Sequence, residues 1–218
     1  MPITVTAVAP GDALDTLAGV VRQAKHGQPL APVTVIVPTN TAGVMARRAL
    51  GRLGGVAAVD MLTLYRLAEL LGSPPLVAEG RAPVSTSVVD LAVRRVLADA
   101  PGSFATVAGH PSTVVALRDL HRELRLAGPD AVAALAVSSP RGREAARVSQ
   151  LASRRLRNDW YDEGDLLEQA ELAAGRGVPR QLRHTVVYLP QQLRGRELRV
   201  LRGLGQVADV EVIIGVTG

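Results

Sequence analysis

The sequence contains no cysteine, which excludes disulfides and thiolate metal sites and is compatible with a reducing compartment. Aromatic residues make up only 2% of it, so a core must be built from Leu, Val and Ala. That scarcity argues against a platform of exposed rings for stacking single-stranded nucleic acid. No run of about 18 apolar residues occurs. Met1-Pro2-Ile3 leads into a strand-like run without the basic and apolar regions of a signal peptide, and the expected setting is cytoplasmic, without a membrane partner. Of the 25 Lys and Arg residues only Lys25 is a lysine. The histidines His26, His110, His121 and His184 are scattered and form no ligand set or triad.

What is present suits a folded α/β protein. The 218 residues are 47% hydrophobic, enough for one large domain or a core with a subdomain, and too apolar for intrinsic disorder. The net charge is +5. An arginine excess of this size fits weak contact with polyanions, and an arginine-rich coding bias produces the same composition.

Strand and helix signals alternate through the first third of the chain. Residues 3–9 (ITVTAVA) are rich in β-branched side chains. Pro10-Gly11-Asp12 makes a turn, with Asp12 as cap of a helix to about Lys25. Residues 33–37 form a continuous apolar run, as expected of a parallel strand covered on both faces. A helix over 41–53, a strand over 56–64 and a helix over 65–71 complete a βαβ pattern. From 73 to 182 only helical stretches are expected, over 87–100, 112–126, 130–137, 143–157 and 163–174. Pro74-Pro75 and residues 175–179 mark the junctions. Strands resume at 185–189 and 210–216. The expected architecture is α/β, a parallel sheet from residues 1–72 and 183–218 around an inserted all-helical subdomain over 73–182. The core strands are centred near Val5, Val35, Val59, Val187 and Val212. Two or more sheet strands inside the 73–182 block would overturn the inserted-subdomain model. The last strand has no helix after it, as in a domain cut from a longer protein; a natural C-terminus on an edge strand is the other reading.

Two positions decide whether this architecture is a nucleotide engine. A phosphate-binding loop requires Gly-x-x-x-x-Gly-Lys-[Ser/Thr] between first strand and first helix, so that backbone N–H groups, a lysine and a hydroxyl hold phosphates and Mg²⁺. Here the loop is degenerate at Pro10, Gly11, Asp12 and Thr16. It has no lysine, and two carboxylates face the place of the phosphates. At the end of the strand over 185–189 a motor protein carries an Asp-Glu pair. Here Leu189 and Pro190 stand there, and neither can hold a metal or activate water.

These segments resemble one family. Residues 33–50 (VTVIVPTNTAGVMARRAL), 59–71 (VDMLTLYRLAELL), 161–172 (YDEGDLLEQAEL) and 185–216 are similar, in this order, to the N-terminal helicase-like region of the B subunit of AddAB-type helicase-nucleases. Relatives there are PD-(D/E)XK nuclease family proteins. The resemblance implies a RecA-like core with a helical insertion, the 1A and 1B parts of a superfamily-1 helicase. It also implies a parent that processes double-strand DNA breaks for recombinational repair as an ATP-dependent exonuclease. No nuclease motif lies in this chain, so no catalytic residue, metal or cofactor is assigned to it.

The same resemblance supplies candidate DNA contacts. Thr39, Asn40 and Ala42 are similar to a motif that touches the backbone of single-stranded DNA, with Arg47 and Arg48 on the following helix. Thr63 and Arg66 match the next such position. Hydroxyl and amide groups at a strand end can bond phosphate oxygens without reading bases; capping of the following helices is the alternative role for Thr39, Asn40 and Thr63. The expected partners are weakly and non-specifically bound single-stranded DNA and a helicase-nuclease partner subunit. Two other function classes stay open: a divergent ATP-binding helicase domain, and a protein-interaction scaffold.

Among other charged groups, Arg118, Arg122 and Arg125 read as a solvated face opposite Leu117, Leu120 and Leu124. Arg141, Arg143, Arg147, Arg154, Arg155 and Arg157 make a second basic stretch, and the two together offer a candidate surface for duplex DNA or an acidic partner. The acidic run Asp159, Asp162, Glu163, Asp165 and Glu168 reads as a helix start rather than a metal site. Trp160 and Tyr161 read as packing anchors.

Overall fold

A strand buried on both faces needs an apolar side chain at nearly every position, and residues 33–37 meet that condition: Val33, Thr34, Val35, Ile36 and Val37 are all buried. The one polar side chain, Thr34, donates its hydroxyl proton to the Gln181 carbonyl at 2.8 Å. The computed structural model describes residues 3–9, 11–53 and 57–216. Its elements run β1 (Thr4–Val8), α1 (Ala13–Lys25), β2 (Val33–Val37), α2 (Asn40–Arg52), β3 (Val59–Thr63), α3 (Leu64–Ala78), β4 (Ala82–Pro83), α4 (Thr86–Asp99), α5 (Pro111–Ala127), α6 (Pro129–Ser138), α7 (Pro140–Leu156), β5 (Trp160–Tyr161), α8 (Glu163–Arg176), β6 (His184–Tyr188), α9 (Gly195–Val207) and β7 (Asp209–Gly215). Short 3₁₀ turns cover Gly102–Val107 and Arg180–Leu182. Val56, expected to open the third strand, lies outside the described residues, as does Pro10.

The protein is α/β, with a five-stranded sheet ordered β1-β7-β6-β2-β3. Every pairing in it is parallel. The five strands contain Val5, Val35, Val59, Val187 and Val212, where sequence patterning centred them. Alternation along the strands sends Val33, Val35, Val37, Val186, Tyr188 and Ile213 to one face. There they pack with Ala13, Leu17 and Val21 of α1 and Ala46 and Leu50 of α2. Burying each of these larger side chains contributes roughly 1.5–3 kcal/mol, which makes this layer the main anchor of the sheet. Gly43 allows α2 to lie close: a Cβ there would meet Val37 Cγ2 at 3.2 Å.

The chain divides into two compact units. The first holds the sheet and comprises Met1–Leu71, Ala170–Leu193 and Glu197–Gly218. The second comprises Gly72–Gln169 and Arg194–Arg196. In the second unit α4, α5 and α7 enclose a core that includes Val93, Leu97, Val114, Leu117, Val148 and Ala152. Ser85 and Ser139 cap α4 and α7 through their hydroxyls.

Two expectations are corrected. The segment from 73 to 182 is not all-helical: β4 and β5 form a separate two-stranded parallel sheet within it, Ala82 opposite Trp160 and Pro83 opposite Tyr161. The condition set against the inserted-subdomain model is therefore met, by strands of two residues each. Strands so short have no period to read, and Pro83 argues against a strand from sequence, although it is tolerated where no N–H is needed. Pro74 and Pro75, expected at a junction, lie near the division between the units at Leu71 and Gly72, but they do not break the chain there: both lie inside α3. Proline φ is helical, so the helix continues without the bonds their missing N–H groups would make to the preceding turn. Among the described residues no helix is long and apolar enough to cross a membrane.

Candidate functional site at the carboxyl end of the sheet

The strand order creates one topological switch point. β2 leads through α2 to β3 on one side, and neighbouring β6 leads through α9 to β7 on the other. Open parallel sheets bind ligands outside the carboxyl ends of strands that part in this way. The residues there are Thr39 and Asn40 after β2 and Leu189, Pro190, Gln191 and Gln192 after β6.

Thr39 is extended, at φ −144° and ψ 158°, and its hydroxyl accepts the Ala42 N–H at 3.1 Å. It is thus the N-cap of α2, and both it and Asn40 are exposed. Thr63 stands opposite Val37 in the β2–β3 register, and its hydroxyl accepts the Arg66 N–H at 3.3 Å. The two threonines therefore mark neighbouring strand ends and start successive helices. Arg66 is exposed and pairs with Glu69 at 2.5 Å; the Glu69 hydrogen bond, then its charge, raises the guanidinium pKa further.

The two arginines of α2 do not join this group equally. Arg47 donates to the Val59 carbonyl at 3.0 Å, at the amino end of β3, so it braces the helix at the opposite end of the strand. Its expected place beside the Thr39 loop is corrected. Arg48 is exposed, eight residues or roughly 12 Å along the helix from Asn40 at 1.5 Å per residue. The structure thus gathers Thr39, Asn40, Thr63 and Arg66 at adjacent strand ends, sets Arg48 farther out and removes Arg47.

At the first strand end only residues 9–12 separate β1 from α1. The Asp12 N–H donates to the Ala9 carbonyl at 3.0 Å and the Thr16 N–H to the Asp12 carbonyl at 2.9 Å. One backbone donor of the turn, the Asp12 N–H, is thereby taken up by the chain itself. Asp12 stands at the N-cap of α1 without a side-chain capping bond, so its carboxylate does not do the work expected of it. Asp15 adds a second carboxylate to the first turn.

The end of β6 is apolar and tightly turned. Leu189 has φ 46°, a left-handed conformation that costs a non-glycine residue about 1–2 kcal/mol. Its N–H donates to the Ile213 carbonyl at 2.9 Å, and its side chain packs on the layer beneath α1. The hydrophobic contact and the β7 bond hold the strained turn in place. Among the described residues no group of three or more His, Asp or Glu is arranged to hold a metal ion.

The acidic run after β5 belongs to the second unit and is committed to structure. The Asp162 N–H donates to Asp165 Oδ2 at 3.0 Å and the Asp165 N–H to Asp162 Oδ1 at 2.9 Å, a reciprocal capping box opening α8. Arg125 grips Asp162 through two nitrogens at 2.7 and 3.1 Å and also bonds Asp165. Arg81 reaches Asp165 at 2.8 Å. Burial opposes the Asp162 charge, but the hydrogen bonds and charge of Arg125 outweigh it and hold this carboxyl below its ordinary range. Beside it, buried His121 shares a 2.9 Å hydrogen bond with Ser149 Oγ.

The arginine face of α5 is accordingly corrected. Arg118 pairs with Asp90 and Asp119 and Arg125 with Asp162 and Asp165; Arg122 pairs with Glu163 at 3.5 Å while its side chain stays 72% exposed. Within the second basic stretch, Arg147 is bound by Glu144 and Arg155 by Asp99. Tyr161 is buried, and Trp160 is half-buried against the α4–α7 core. Sequence reasoning missed Arg81 and the partners of Arg125, which lie far away in the chain and carry no local signal. Compared with known proteins, the chain matches no protein-family model and no curated protein sequence.

Proposed function

We propose that this chain is an inactivated superfamily-1 helicase-like module with a RecA-like core. In this reading it belongs to a helicase-nuclease that processes double-strand DNA breaks, where it shapes a DNA channel and docks a motor subunit without catalysing a reaction. The observation that carries the reading is the end of β6, where Leu189 and Pro190 occupy the switch-point position at which a motor would hold Mg²⁺-ATP. The turn between β1 and α1, which has no lysine and is followed by Asp12 and Asp15 at the start of the helix, supports the loss of nucleotide chemistry. Thr39, Asn40, Thr63 and Arg66 support backbone contact with a strand of DNA, because they are short polar groups and a cation at adjacent strand ends.

The test is a fluorescence-anisotropy titration with single-stranded DNA at two salt concentrations. Binding is expected to be weak and without base preference, with a shallow salt slope of about −0.7 per phosphate contacted. Arg66→Glu and Arg48→Glu are expected to weaken it more than Arg122→Glu, which lies in the second unit. Equal losses from all three would indicate diffuse surface charge. No binding at low salt would favour a protein-interaction scaffold.

A further inference from the structure

At the amino ends of β2 and β6, away from the switch point, lies a shallow pocket of about 210 Å³. Its ionisable lining residues are Lys25, His26, Arg180, Arg183 and His184, and no carboxylate is among the residues that line it. A concave surface with charge of one sign focuses potential on an incoming counter-charge.

The backbone sets the cations side by side. Arg180 opens the 3₁₀ turn Arg180–Leu182, and the Arg183 N–H donates to the Arg180 carbonyl at 3.2 Å. Residues three apart in a 3₁₀ turn eclipse one another, so both arginines project on one side of the turn. Both are exposed, and among the described residues neither guanidinium makes an ion pair or hydrogen bond. Like charges so placed repel unless an anion joins them.

Lys25 does a different job. Its ammonium donates to the carbonyls of Pro29 at 2.9 Å, Ala31 at 2.7 Å and Ala57 at 2.7 Å. All three protons are engaged, so it braces the pocket wall and adds positive potential without a free donor. The rings of His26 and His184 meet edge to face, 6.0 Å between centroids. Behind them Asp209 lies 3.3 Å from His184 Nδ1.

We propose that this pocket binds a small phosphate-type dianion, with Arg180 and Arg183 as its clamp and His26 and His184 as flanking walls. The guanidinium fork matches two phosphate oxygens at once. The volume is below the roughly 300–1,000 Å³ of sites that enclose whole small molecules. Phosphate, pyrophosphate or the terminal phosphate of a strand therefore fits, and a complete nucleotide does not. The proposal does not depend on the DNA reading above, because its residues lie at the other end of the sheet.

Isothermal titration of the intact chain with inorganic pyrophosphate, at constant ionic strength, tests it. One saturable event is expected, with a Kd of about 1 mM or tighter. Arg180→Gln and Arg183→Gln should each weaken it about tenfold, while Arg95→Gln, on α4 in the second unit, should leave it unchanged. Circular dichroism of each variant checks the fold, and two separate single variants guard against the loss of either. Competition with oligonucleotides then assigns the source of the anion. Displacement of pyrophosphate by a 5′-phosphorylated strand but not by its unphosphorylated counterpart assigns the site to strand ends; displacement by neither assigns it to the free anion. Absence of saturable heat up to about 10 mM, or an equal loss in Arg95→Gln, would overturn the proposal.

Discussion

His121 and Arg125 lie one turn apart on α5 and meet the same carboxylates in opposite ways. Burial pushes the His121 imidazole below its ordinary pKa, and the nearby Asp162 charge only partly offsets this. A folded-state pKa below the unfolded value near 6.5 means that the unfolded chain binds more protons in the window between them. Stability is therefore fully present above about pH 6.5 and is lost as pH falls through the depressed value, by at most ~1.4 kcal/mol per pH unit for one proton. Urea denaturation at several pH values between about 5 and 7.5 should show this slope, and His121→Asn should flatten it; an unchanged slope would remove His121 as its source. Arg125 is the converse case. Its replacement by Met would leave the half-buried Asp162 without its main partner, a loss of about 3 kcal/mol in the same assay. Arg125→Lys should recover only part, because one ammonium cannot reproduce the two-nitrogen grip. None of this was legible in the sequence: Arg125 has helical spacing to Arg118 and Arg122, and Asp162 is 37 positions away. Spacing assigns a side chain to a helix face, but only tertiary packing shows what covers that face.

At the scale of elements the chain is more legible, because caps and β-branched runs are local. Ser85, Ser139 and Thr39 each precede a helix and each hydroxyl accepts the backbone N–H three residues on. The core strands were visible as short runs of Val, Ile and Thr. What failed to show were elements that lack a period, β4 and β5, and a helix that tolerates two prolines. The capping role of Thr39 also bears on its candidate role with DNA. Thr39→Ala should cost about 1 kcal/mol through the lost cap, read as a shift in the urea midpoint, whereas Thr39→Ser should keep both stability and DNA affinity. If Thr39→Ala leaves stability unchanged, the hydroxyl is not the working cap of α2. If Thr39→Ser loses DNA affinity with its hydroxyl kept, that hydroxyl is not the DNA contact.

For the whole molecule, the sequence discloses which strands exist but not the order in which they stand. Residues after β2 and β6 became neighbours only through the order β1-β7-β6-β2-β3, which is set by long-range pairing rather than by any local run. That order turns two local substitutions into one argument about chemistry. A nucleotide lying across the strand ends would need N–H groups and a lysine after β1 and carboxylates after β6. After β1 it would meet a turn whose Asp12 N–H already bonds Ala9, with Asp12 and Asp15 repelling its phosphates. After β6 it would meet Leu189, turned back onto the core. Replacing Leu189 and Pro190 by Asp and Glu would supply metal ligands at one end while leaving the other without a lysine. Calorimetric titration with Mg²⁺-ATP is therefore expected to show no saturable binding for the native chain and none for that double variant. Micromolar, Mg²⁺-dependent binding by the native chain would defeat the inactivated-motor reading. Its appearance in the double variant alone would place the loss of nucleotide affinity at the end of β6 and acquit the turn after β1.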